Sequence, residues 1–284
     1  MAENVREIKT RIGNIENIRQ ITKAMNAIAM TKVTRMKRRL AAVQPYMEGV
    51  EGVISSLVGQ YADLASAHPL VAGNGSEDVG ILVLNADRGL CGRFKGEINH
   101  KAETLAREES GTARFLLGGE KARAYFVRRK VEPLRTYVHF YEDPTPVIAR
   151  KIALDLISLY KEGAYGSLVV VYMHFISDLA QRLRVEEILP IKAEAKVGDM
   201  ILEPNPTRML DIVLPLYLQG KVFQALLDTK TSEDAIRRQA MSSATDNADD
   251  LLKNLTRSYN KARQQSITRE ISDIMGGAEA LRKS

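Results

Sequence analysis

The residues with the clearest chemical potential are Gly-Leu-Cys-Gly at 89–92, between an apolar run and a helical pattern. In an open α/β fold, a glycine turn from strand to helix is where phosphate can rest on helix-terminal N–H groups. Neither a full G-x-G-x-x-G nor a G-x-x-x-x-G-K-[ST] is present, and Leu-Gly-Gly-Glu-Lys-Ala at 117–122 lacks the required spacing. A tight strand–helix turn is the simpler expectation, with Asp87 bonding across it and Arg88 adding surface charge. Cys91 is the one cysteine of the chain. It rules out an internal disulfide, and with no histidine nearby it reads as packing rather than as a nucleophile. The four histidines are not clustered, so a His/Cys metal site has little support, and no cofactor is expected.

A second chemistry lies in charge. Residues 1–40 carry a net charge of +7 within a total of +6, so the remaining 244 residues sum to −1. A basic helix of this kind suits nucleic acid, anionic lipid or an acidic protein surface, or is simply a solvated face. No aromatic residue interleaves with the bases before Tyr46, which weakens single-strand binding. The apolar stripe running through the basic part also departs from a bZIP arrangement.

The elements that carry these residues follow from periodicity. Met36, Leu40, Val43, Met47, Val50, Ile54, Leu57, Tyr61 and Leu64 alternate four- and three-residue steps, the heptad of a coiled-coil seam. This predicts a helix over about 3–64, kinked or broken at Pro45. A linker is expected at 68–78. Strands are expected at 79–87, 113–119, 167–175 and 181–191, and helices at 95–108, 120–129 and 144–163. That alternation implies a small, mostly parallel sheet with helices on its faces. From Thr231 onward there is no proline, and Thr231 or Ser232 followed by Glu233 and Asp234 reads as a helix cap. Met241, Ala244, Ala248, Leu252, Leu255, Tyr259 and Ala262 form a second seam. A helix over 231–284 would span roughly 80 Å and must lie against the first helix. The fold class is thus α/β plus α: a long antiparallel coiled coil of N- and C-terminal helices with an inserted Rossmann-like α/β domain. The expected segments are 1–67, 75–205 and 207–284. Hydrophobic residues make up 45% and charged residues 27%, and no run of 18 apolar residues occurs, so no membrane span is expected. The opening residues lack an apolar signal core, and their early acids argue against a transit peptide.

Four segments in order resemble one family, the γ subunit of the F-type ATP synthase. They are IKTRIGNIENIRQITKAMNAIAMTKVTRM at 8–36, NADRGLCGRFKGEIN at 85–99, VYMHFISDLAQRLRVEEILPI at 171–191, and ATDNADDLLKNLTRSYNKARQQSITREISDIMGGAEAL at 244–281. In the last, a signature falls on Ile267, Thr268, Glu270, Asp273, Gly277 and Ala278. Arg93 and Lys95 depart from the glycine and asparagine common in the family. The cysteine-bearing insertion of chloroplast relatives is missing, so thiol control of that type is not expected.

The resemblance implies a non-catalytic central rotor shaft. Three α and three β subunits would surround it, with the ε subunit and the membrane c-ring as further partners, one copy per complex. It implies a peripheral position on the cytoplasmic side of a bacterial inner or plasma membrane. Lys23 and Met25, in the ITKAM motif, would face the acidic C-terminal lever of β, and Arg263 and Gln264 would hydrogen-bond a β loop. Ile267, Ile271, Ile274, Met275 and Leu281 would form an apolar tip turning in a hydrophobic sleeve. Lys9, Arg11, Lys32 and Arg35 would offer a basic face to acidic surfaces. A nucleotide-binding α/β protein and a coiled-coil nucleic-acid binder are the alternatives. Saturable ATP binding would favour the first, and DNA affinity falling steeply with salt the second.

Overall fold

The computed structural model describes residues 5–139, 142–192 and 205–282, with side chains described through residue 278. The chain divides into two compact units, Met1–Ile28 with Arg238–Ser284, and Ala29–Arg237.

The larger unit is built on a five-stranded sheet in the order β3-β2-β1-β4-β5. Its strands are β1 (Val79–Leu84), β2 (Ala113–Gly118), β3 (Arg135–Tyr137), β4 (Ser167–Phe175) and β5 (Gln181–Leu189). The first four pair in parallel and β5 runs antiparallel to β4, so the sheet is mostly parallel, as the alternation implied. β3 went unforeseen because three residues carry no readable period. All of β1 is buried, which is why it reads as a continuous apolar run rather than an alternating one. Ile81 and Val83 face one core with Phe94 and Ile98 of α4 (Phe94–Glu108) and Phe126 of α5 (Glu120–Val127). Leu82 and Leu84 face the other core. There they join α6 (Pro146–Lys161), the second half of α1 (Val5–Gln60) and the first part of α7 (Pro206–Arg282). The α6 start follows its sequence signal: Thr145 accepts the Ile148 N–H at 3.3 Å and Pro146 opens the helix.

Several expectations are corrected here. Helix α1 runs through Pro45 without interruption and ends at Gln60. Its seam is real from Met36 to Leu57, but Val50, Ile54 and Leu57 pack into the α/β core. Leu64 is 43% exposed while Ala65 is fully buried. The chain restarts as α2 (Ala62–Ala67) after Tyr61, so the heptad phase is lost. The expected linker contains a short helix, α3 (Pro69–Ala72), whose Leu70 is fully buried. No helix starts at Thr231. Helix α7 is already continuous from Pro206, through Pro215. Thr231 and Ser232 are buried inside it, donating to the Leu227 and Met173 carbonyls. One described helix, α7, is also long and apolar enough by composition to cross a membrane, with a window of mean hydropathy 1.3. Leu210, Leu214, Leu218, Val222 and Leu226 explain it, since they fill the core beneath the sheet.

The smaller unit is an antiparallel helix pair. Arg19 meets Asp249 at 3.0 Å, and the Thr245 hydroxyl donates to that of Thr22 at 2.8 Å. Partners that rise in number on one helix and fall on the other define opposite directions. Ile8 is 1% exposed and Ala248 4%. Leu252, Leu255, Tyr259 and Ala262 are half-buried, as the second seam requires.

Candidate partner-contact surface

The Gly-Leu-Cys-Gly turn joins β1 to α4, and the residues around it tie that joint to α5 and α7. Asp87 Oδ1 accepts the Glu120 N–H at the first turn of α5 at 2.9 Å and the His139 N–H at 3.0 Å. At the start of α5, after the Leu-Gly-Gly-Glu-Lys-Ala stretch, the place where an anion would sit thus already holds a carboxylate. Behind it, Asn85 is fully buried and donates to Lys95 O and Asn99 Oδ1. Gly119 (φ 89°) lies so close that a Cβ there would stand 2.3 Å from the Asn85 carbonyl oxygen. Cys91 is 1% exposed. Burial, with Glu233 adding to it, pushes the thiol up from its ordinary value. A thiol held protonated in this way is a packing group. Among the described residues no metal-holding group of His, Cys, Asp and Glu occurs.

What the turn holds is α7. Arg237 donates to the Gly89 carbonyl at 3.5 Å and pairs with Glu233 and Asp234. Lys230 pairs with Glu233 at 2.9 Å. Burial raises the Asp234 carboxyl, against the pull of Lys230 and Arg237. One turn earlier, Asp228 accepts the Phe175 N–H at 3.1 Å and meets His174 Nδ1 at 3.0 Å. Lys221 sits between Glu51 of α1 (2.9 Å) and Glu186 of β5 (3.2 Å). Burial alone would lower Lys221, but Glu51, Tyr217 and Glu186 raise it to about 12. Burial would likewise raise Glu186, yet Lys221, the Tyr172 hydroxyl and Arg184 hold it below the ordinary carboxylate value. Asp228 and Lys221 thus fasten α7 to β4, β5 and the second half of α1, while the Lys230, Glu233, Asp234 and Arg237 charges pair within α7 and reach the turn through the Gly89 carbonyl. The Asp228 and Lys221 contacts are not legible in the sequence because their partners lie far apart in the chain; Glu233 and Asp234 have helix-spaced partners, but read as a cap rather than as paired charges.

The surface residues inferred from the sequence fall into separate groups. Lys9, Arg11 and Lys23 are exposed on α1 and Met25 is half-buried; Arg11 pairs with Glu7 at 2.9 Å. Arg263 and Gln264 are exposed on α7. Ile267, Ile271, Ile274 and Met275 are 44%, 52%, 72% and 67% exposed. The side chain of Leu281 lies outside the described residues. Steps of four and three put the isoleucines on one face, where they form an exposed apolar stripe. Lys32 and Arg35 differ from the others. They meet acids more than a hundred positions away rather than on their own helix, Lys32 with Glu142 at 3.6 Å and Arg35 with Asp143 at 3.5 Å.

The larger unit is thus a mostly parallel α/β sheet covered by the second half of α1 and the first part of α7, and the smaller unit is an antiparallel pair of long helices. A family model described as ATP synthase matches residues 4–281. Curated relatives named ATP synthase gamma chain include that of Symbiobacterium thermophilum, 35% identical over 99% of both chains. That of Clostridium acetobutylicum is 37% identical over 97% of both. The chain belongs to the ATP synthase gamma chain family. Its fold is similar to a chain of the Tetrahymena thermophila mitochondrial ATP synthase central stalk and c-ring structure, with TM-score 0.64 and 20% identity. That match covers 79% of this chain and 99% of the other. It is also similar to a chain of the Euglena gracilis mitochondrial ATP synthase, with TM-score 0.64 and 16% identity over 98% and 94% of the two chains.

Proposed function

We propose that this chain is the central-stalk subunit of an F-type ATP synthase, turning with an ion-driven c-ring and imposing successive conformations on the β catalytic sites. The observation that carries this is the family match over residues 4–281, with relatives matched end to end. Its partners are three α and three β subunits, an ε subunit and the c-ring, with one copy per complex. It is non-catalytic and peripheral, on the cytoplasmic side of a bacterial membrane. The segments 1–67, 75–205 and 207–284 serve as first helix, globular domain and last helix.

The mechanism is differential fit. A rotor performs no bond chemistry; it favours one β conformation at each angle because its contacts with that conformation are stronger. Lys23, with Met25 beside it, is exposed and suits an acidic β surface. Lys9 and Arg11 extend that basic face, and Lys32 and Arg35 join it when released from their own acids. Arg263 and Gln264 offer hydrogen-bond donors to a β loop. Ile267, Ile271, Ile274 and Met275, with Leu281, form the bearing tip: apolar contact is non-directional, so no bond must break at each angle.

Rotation tests this directly. Cys91 is buried, so a thiol-reactive bead will attach only to an introduced cysteine such as Glu108→Cys. With surface-held α and β subunits, ATP should drive unidirectional turning of the bead. A bead that is retained but stationary while ATP is hydrolysed would defeat the proposal.

A further inference from the structure

Two acids before α6 sit on the basic stretch of α1. Glu142 meets Lys32 at 3.6 Å and Arg88 at 3.1 Å. Asp143 meets Arg39 at 2.6 Å and Arg35 at 3.5 Å. We propose that Glu142 and Asp143 act as an internal latch on Lys32, Arg35 and Arg39, occupying the place that an acidic segment of a partner subunit takes, so that docking exchanges one set of carboxylates for another. This rests on the central-stalk assignment above.

Three observations favour exchange over a permanent clamp. The paired side chains of Lys32, Arg35, Arg39, Glu142 and Asp143 are 33–52% exposed, so water and salt screen them and each pair is weak. The charges are unbalanced, because these two carboxylates serve four bases, Lys32, Arg35, Arg39 and Arg88. The stretch therefore stays attractive to further carboxylates. Finally, the fold has other means of fixing α1: Glu51 meets Lys221 at 2.9 Å, and Val50, Ile54 and Leu57 are core residues. Opening the latch need not loosen the helix.

The test titrates the full-length chain carrying E142Q and D143N onto immobilised cognate α and β subunits, at low and high salt. A variant with E108Q and E132Q, which removes two exposed acids outside the latch, controls for net charge. The latch predicts affinity about threefold to tenfold tighter at low salt, from removing competing pairs of ordinary surface strength. The gain should shrink at high salt and the melting temperature should hardly move. Unchanged affinity, an equal gain in the control, or weaker binding would each overturn it. Failure of the wild-type chain to bind is a different result, and defeats the central-stalk assignment. In that event a fluorescent glutamate-rich peptide still decides the latch on the isolated chain: it should bind the E142Q/D143N chain more tightly than wild type, and equal binding would refute it.

Discussion

Lys221 shows how one residue sets conditions for the rest. It holds Glu186, whose side chain is 20% exposed, against α7. Lys221→Met should cost about 2–4 kcal/mol at neutral pH, because it strands a largely buried carboxylate. The pH dependence follows from the sign of the shift. Glu186 is depressed in the folded protein, so its contribution is present above its unfolded pKa and is lost as pH falls through the lower folded value. The stability gap between wild type and Lys221→Met, read by urea melts, should therefore narrow from neutral pH to about pH 4 and below. A gap that stays constant would mean that Lys221 acts by packing alone. Arg263 belongs to the same scale but to a different outcome. It is exposed, so Arg263→Ala should leave the melt unchanged. If Arg263 bonds a β loop as proposed, losing a charged hydrogen bond at one rotor angle should slow coupled ATP hydrolysis about tenfold. Wild-type turnover in that variant would remove Arg263 from the contact.

At the scale of elements, close approach at the strand–helix turn is the sharpest constraint. Gly119→Ala combines positive φ with a Cβ 2.3 Å from the Asn85 carbonyl. We expect a loss of about 2–4 kcal/mol and a melting shift of about 2–4 °C for each of those kcal/mol. A melt within a degree of wild type would contradict the packing described. Elements with a strong local period were legible in the sequence: β4 at 167–175 matches its expected bounds, and α4 begins one residue early. The misses share a physical cause. The cap at Thr231 was a local signal overridden by tertiary context, because residues 210–226 commit the helix to the core before Thr231 is reached. Pro45 reads as a kink or a break of α1; the helix is not broken there and continues between Met36 and Met47, both buried. Ion pairs such as Lys32 with Glu142 join residues more than a hundred positions apart, which no periodicity records. Lys32 and Arg35 could therefore be seen as basic, but not as already paired.

For the whole molecule, the two units differ in how they are held. Residues 29–237 contain two apolar cores, one on each face of the sheet. The helix pair buries few side chains beyond its seam. Amide exchange should therefore be slowest in β1 and in 210–226, and faster by orders of magnitude in the last turns of α7. Uniform protection along α7 would contradict that division. The proposed role depends on it: the fold must resist torque, while the exposed stripe of Ile267, Ile271 and Ile274 needs only to slide against apolar neighbours.

The most direct test of the central claim is co-expression with cognate α and β subunits, with and without this chain, measuring complex size and ATP hydrolysis together. One copy should co-elute with each six-subunit ring, with a sharp rise in turnover. A chain that elutes alone and leaves turnover unchanged would contradict it.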